Sequence, residues 1–479
     1  MTPLHLLSAT EALDRFRRRD LSPVELLDAV LARADAVEPT VNALCHRFDD
    51  AARARAREAE RRYRGRGSAA PGPLEGLPVA VKEDEPIAGQ PLTEGSLVLR
   101  DAVAERSSAL ARRVLGAGAI VHARTTAPEL AAAGYTHSRL WGVTRNPWSR
   151  EWSPGGSSGG SGAALAAGTT TLATGSDTAG SIRIPASACG VVGFKPPRGR
   201  VPVVAPYHLD RYVHGGPLAR TVADAALLQD VLAGPDGDDL AGLREQVVLG
   251  IPRPAVRGLR VAFSPRLGDW DVDPEVAAGA RAVADVLREA GAIVEEVDLA
   301  LPRATVIRAA AIHFAHGFGA AIADFCAAHP ERVTDDARRF ADWARTTADG
   351  ASLLDGLALE SQLHRPLATV LERHHALLCP TLGTRGFRAG EGYPEGGPEV
   401  DGRTVGFHLE AALTLPFNQL AACPVLAVPS GVAGNGVPTG VQLVGRPYDD
   451  ATPFALGAAV EALRPWPLAT GSGPRASAT

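Results

Sequence analysis

Residues 153–197 read SPGGSSGGSGAALAAGTTTLATGSDTAGSIRIPASACGVVGFKPP, and this stretch decides how the rest of the chain is read. Two serine clusters, Ser157-Ser158 and Ser181, each lie beside glycines and are separated by a short apolar run. Glycine lets the backbone approach a ligand closely and adopt positive φ, so two such loops form a binding cradle. A flexible Gly/Ser linker has a similar composition. A linker, however, does not alternate with AALAAG, TTTLATG and GVVGF, which are apolar enough to be buried.

GGSSG and GSSGG both satisfy G-x-S-x-G, the nucleophile elbow that needs a buried strand immediately before it. Residues 146–154 contain two prolines and several polar or charged side chains and do not read as a central strand. Ser157 therefore need not be the nucleophile. Upstream, Gly76-Leu-Pro-Val-Ala-Val-Lys82 is an apolar run ending in one amine, as if a buried strand delivered a lysine to its carboxyl end. Alone, such a lysine is an ordinary strand-end residue snorkelling to solvent. The combination of the three elements makes it a candidate for chemistry.

GLPVAVK, then NPW with PGGSSGGSGAALAAG, then GSDTAGSIRIPASACGVVGFKP, resembles the amidase signature family of hydrolases. The similarity continues in order through GPLARTVADAALL, PFNQLAACPVLAVPSG and VPTGVQLVGRP, and covers about residues 8–465. The resemblance implies an α/β fold, a large mixed β-sheet core covered by helices on both faces. It implies Ser181 as nucleophile, Ser157 as a bridging serine held by a cis peptide, and Lys82 as base. The backbone N–H groups of Thr178, Ala179, Gly180 and Ser181 would form the oxyanion hole. Gly134, Tyr135 and His137, near the family's acyl pocket, and Tyr207 and Cys379 are candidate substrate contacts. Many family members carry two glycines before the nucleophile; Ala179-Gly180 departs from that pattern.

A serine hydroxyl needs a base, and neither serine motif contains a histidine. Lysine serves as that base only when uncharged, which burial favours. Glu83, Asp84 and Glu85 follow immediately and would oppose this. Adjacent side chains of an extended segment face opposite ways, so they are expected to point away from a neutral Lys82. No metal or organic cofactor is expected. The histidines at 313, 316, 364, 374 and 375 lack an HExxH pattern or a clear acidic partner.

The net charge of -5 on 479 residues gives no reason to expect nucleic acid or an anionic membrane as partner. The partner implied is a small-molecule amide, with homodimer pairing as in many relatives. Five scattered cysteines suggest neither a disulfide framework nor a zinc site. The charged start MTPLHLLSATEALDRFRRRD does not read as a secretory signal, so a cytoplasmic location is expected.

Residues 1–66 read as an N-terminal helical segment, with a capping box at Ser22-Pro-Val-Glu25. Residues 67–465 form the catalytic unit. Its motifs lie at 76–235 and 405–465, with a more variable, largely helical substrate side at 236–404. A loop at 383–403 is placed over the entrance, and 466–479 reads as a flexible tail. A second function, the glutaminase subunit of a tRNA-dependent amidotransferase, resembles the same family. That subunit usually carries Asn-x-Asp-Glu-Phe where this chain has Ala127-Pro-Glu-Leu130, which favours a free-standing amidase. A catalytically silent binding protein on the same scaffold is disfavoured by the joint presence of Lys82, Ser157 and Ser181.

Overall fold

Eleven strands form one mixed sheet in the computed structural model, which describes residues 2–66 and 70–474. Across the sheet the order is Leu44–Arg47, Ile120–Thr125, Pro78–Lys82, Leu172–Asp177, His214–Ala219, Val192–Lys195, Val425–Val432, Pro438–Gly445, Ala376–Pro380, Arg260–Phe263 and Ile293–Glu296. Pro78–Lys82 runs parallel to both of its neighbours. The strands in the middle of the sheet are antiparallel.

Successive residues of a strand face opposite sides, and here both sides are apolar. Val425, Val444 and Leu377 join one buried cluster, built largely with the helices between 303 and 371. Their neighbours Leu426, Leu443 and Leu378 join a second, built with the N-terminal, central and C-terminal helices. This is why these strands read as continuous apolar runs rather than alternating ones. Helices therefore cover both faces, as the resemblance implied.

Local signals place the helices. Ser22 Oγ accepts the Glu25 N–H at 3.2 Å while the Glu25 carboxylate accepts the Ser22 N–H at 2.8 Å, the reciprocal cap of the helix Pro23–Val41. Ser8 caps Ala9–Arg18, and Asp273 with Pro274 starts Pro274–Glu289. Residues 236–404 contain the helices Arg303–Ala315, Phe318–Ala328, Asp335–Ala348 and Leu353–Arg373. Among the described residues no single helix is long and apolar enough to cross a membrane.

Two expectations fall partly on other residues. The tail read as flexible from 466 begins with a 3-10 turn, Pro467–Thr470, that buries Leu468. Its end, 475–479, lies outside the described residues, as do 67–69 at the start of the expected catalytic unit.

Candidate active site

Lys82 ends a strand in which every residue is buried, and its own side chain is only 1% exposed. The parallel strand beside it, Leu172–Asp177, delivers Ser176 and Asp177 to the same end of the sheet. The carboxyl ends of parallel strands are where open α/β sheets place their ligands. Between these strands in sequence, residues 155–158 turn into the helix Gly159–Ala167, with a cis peptide bond between Gly156 and Ser157. Among the described residues no strand leads directly into Ser157, so the elbow geometry is absent. The two serine loops are joined where the Ser158 N–H donates to the Ser181 carbonyl at 3.2 Å.

Three acceptors surround Lys82 Nζ: Ser157 Oγ at 2.8 Å, Ser176 Oγ at 2.7 Å and Asp84 Oδ2 at 2.7 Å. Ser176 Oγ donates in turn to Asp84 Oδ2 at 2.8 Å. Three acceptors are the full complement of an ammonium. This corrects the expectation that the acidic run turns away. The strand stops at Lys82, and the Glu85 N–H donates to the Lys82 carbonyl at 3.1 Å, so a tight turn folds Asp84 back over the amine. Alternation of side chains holds only while the chain is extended. Glu83 does turn away. Its carboxylate accepts Thr93 Oγ1 at 2.6 Å, Trp141 Nε1 at 2.8 Å and the Ala127 N–H at 2.8 Å. Burial pushes the Glu85 carboxyl up to about 7.

Asp177 shapes the loop carrying Ser181. Its carboxylate accepts the N–H groups of Gly180 at 2.8 Å and Ile182 at 3.2 Å, and Arg183 Nε and Nη2 at 2.9 and 2.8 Å. Both Asp177 and Arg183 are fully buried. Burial pushes the Asp177 carboxyl up, but the Arg183 guanidinium and the Asn418 amide more than offset it and hold it below the usual carboxylate range. The Gly180 N–H, one of the four donors expected of an oxyanion hole, is thus taken by Asp177. Gly180 has φ +122°, and a Cβ there would sit 2.1 Å from Thr414 Oγ1, so this position requires glycine. Ala179 is not among the residues with positive φ, so the departure from the family's glycine pair falls where alanine fits.

Ser157 and Ser181 line one cavity together with Gly134, Thr178 and Ala179. About 420 Å3 of space between atoms lies within it, open solvent at the mouth included. Four other sequence candidates do not line it. Tyr135 is buried behind the wall with its hydroxyl donating to Asp336 Oδ1 at 2.9 Å, and His137 Nε2 lies 2.7 Å from Asp336 Oδ2. Tyr207 is 37% exposed on a short turn. Cys379 is buried in its strand, where burial pushes the thiol up. Sequence reasoning missed Ser176 and the cavity wall made by Phe314, Phe318, Phe340, His408 and Leu409. Among the described residues no group of three His, Cys, Asp or Glu side chains is arranged to hold a metal ion.

The family model described as "Amidase" matches residues 25–453. The chain belongs to the amidase signature family. It is similar to the acylamidase of Rhodococcus erythropolis, 34% identical over 97% of this chain and 96% of that protein. It is as similar to a glutamyl-tRNA(Gln) amidotransferase subunit of Chloroflexus aurantiacus, 34% identical over 97% and 98% of the two chains. A crystal structure of a bacterial aryl acylamidase of the amidase signature family superposes with a TM-score of 0.89. It is 29% identical and covers 99% of this chain and 100% of that one. The protein is thus an amide hydrolase of this family.

Proposed function

We propose that this amidase cleaves a carboxylic amide through an acyl-enzyme on Ser181, with Ser157 and Lys82 moving the proton. One observation carries the reading: Lys82 Nζ reaches Ser157 Oγ at 2.8 Å from beneath a cavity that Ser157 shares with Ser181. Nζ acts as base in its uncharged form.

Ser181 Oγ then bonds to the carbonyl carbon, its proton passing to Ser157 Oγ while the Ser157 proton passes to Nζ. The carbonyl π pair moves onto oxygen, which the N–H groups of Thr178, Ala179 and Ser181 would hold. When the intermediate collapses the C–N bond breaks, and the nitrogen takes a proton back from Nζ through Ser157. Water attacks the acyl-enzyme, gives a proton to the same relay and releases the acid as Ser181 is reprotonated.

The test is an alkyl fluorophosphonate, which forms a bond to an activated serine as fluoride leaves. Peptide mass spectrometry is expected to place the adduct on Ser181, with labelling of Lys82→Ala slowed at least ~100-fold, the usual contribution of a positioned general base. An adduct elsewhere, or wild-type labelling of Lys82→Ala, would overturn the assignment.

The ammonium created at Nζ during acylation faces the Asp84 carboxylate at 2.7 Å. Hydrogen bonds to charged groups contribute about 1.5–3 kcal/mol. Asp84→Asn is therefore expected to lower kcat roughly tenfold or more, since ~1.4 kcal/mol is tenfold in rate. KM should stay unchanged because Asp84 is absent from the cavity wall. Steady-state kinetics with kcat unaltered would remove Asp84 from the relay. Four of the five free cysteines are buried and the fifth is half-buried. Unpaired thiols suit a reducing compartment, which supports a cytoplasmic location.

A further inference from the structure

We propose that the acyl group this enzyme accepts is uncharged and apolar, an aryl or alkyl chain, and that Phe314, Phe318 and Phe340 select it. The proposal rests on Ser181 being the nucleophile. The acyl group stays bonded to Ser181 Oγ until water removes it, so the cavity containing Ser181 must house it.

Among the described residues, that cavity has no Asp, Glu, Lys or Arg in its wall. Phe314 and Phe318 both pack against Phe340, with ring centroids 5.3 and 5.7 Å apart. Phe340 leads on through Phe407 to a stacked Trp343, 4.5 Å away. The one ionisable side chain in the described wall is His408, which burial pushes down to about 3, favouring the neutral ring. Ile184 and Leu409 complete the apolar side.

An acyl group with an ammonium and a carboxylate, such as that of glutamine, would lose its hydration there and find no charged partner. Such burial is costly unless each charge is paired. The charges behind the wall are already engaged: Lys82 Nζ, 2.8 Å from Ser157 Oγ, is paired with Asp84 at 2.7 Å. The Tyr135 ring, 5.6 Å from His408, separates the cavity from Asp336, and the carboxylate of Asp336 is held by Tyr135, His137 and Arg339. Asp210, beside Phe314, is likewise occupied by His313 Nε2 at 2.9 Å. An aromatic or aliphatic chain, by contrast, exchanges water for ring faces at ordinary hydrophobic gain.

Benzamide, hexanamide and L-glutamine are all primary amides, so one ammonia assay compares them. Wild-type kcat/KM is expected to be at least ~100-fold higher for benzamide or hexanamide than for glutamine. Phe340→Ala is expected to lower the better of these two about tenfold, mainly through KM, with Phe340→Leu recovering most of the loss. Glutamine hydrolysed as well as or better than both would overturn the proposal while leaving the nucleophile in place. Ser181 labelling with an octyl fluorophosphonate and with a carboxylate-bearing one gives the same ranking without turnover. Equal rates, or faster capture of the charged probe, would also overturn it. An adduct absent from Ser181 would instead count against the acyl-enzyme reading itself.

Discussion

Ser181→Ala is expected to lower kcat by at least ~10⁴-fold with the fold intact, the scale on which loss of a nucleophile in a cooperating set is felt. Ser157 lies in the same cavity and is not a substitute. Its hydroxyl is held by Lys82 at 2.8 Å, and the substitution leaves in place the backbone of Thr178, Ala179 and Ser181 that is proposed to hold the oxyanion. Alanine keeps that backbone and removes only the oxygen. Fluorophosphonate labelling should vanish while the thermal midpoint stays within a few degrees of wild type. Turnover retained within tenfold, or an adduct moved to Ser157, would show that the two serines have been assigned the wrong way round.

Arg183→Leu is expected to destabilise the protein by about 3–5 kcal/mol, the cost of leaving one member of a buried pair without its partner. Arg183 spends its donors on Asp177, the Thr414 carbonyl at 2.8 Å, Gln442 Oε1 at 2.8 Å and Asn418 Oδ1 at 2.6 Å. Leucine would replace none of them. Denaturant titration reads the loss, and a midpoint unchanged from wild type would mean that the pair is structurally dispensable. The pH dependence has a definite sign. Asp177 is held below its unfolded value near 3.8, so the pair's stabilisation is present above about pH 4 and drains away as pH falls through the lower folded value. In Arg183→Leu that acid-side loss should be much reduced.

Much of the site was legible where the sequence alone dictates geometry. The apolar run closing on Lys82 reads as a buried strand because nothing in it is polar until its last residue. The Ser22 to Glu25 cap reads as a helix start because its side chains satisfy the helix's own donors. Asp84 was misplaced because alternation turns away only the adjacent Glu83, while the turn after Lys82 brings Asp84 over the amine. The strand Leu44–Arg47 went unread because it is short, half-buried on the sheet's edge and irregular in register between Leu44 and His46. The phenylalanine wall was hidden differently. Phe314 and Phe340 are buried aromatics on helices, and a sequence pattern cannot separate a core ring from one whose outer edge faces a cavity.

The braces on the Asp177 loop come from far along the chain, since Thr414 Oγ1 donates to the Ala179 carbonyl at 2.6 Å and Asn418 Nδ2 to Asp177 Oδ1 at 2.9 Å. A nascent polypeptide halted before these residues already carries Lys82, Ser157 and Ser181 but lacks both of these braces. The loop that carries Ser181 therefore takes its full set of hydrogen bonds only when the chain is complete through Asn418.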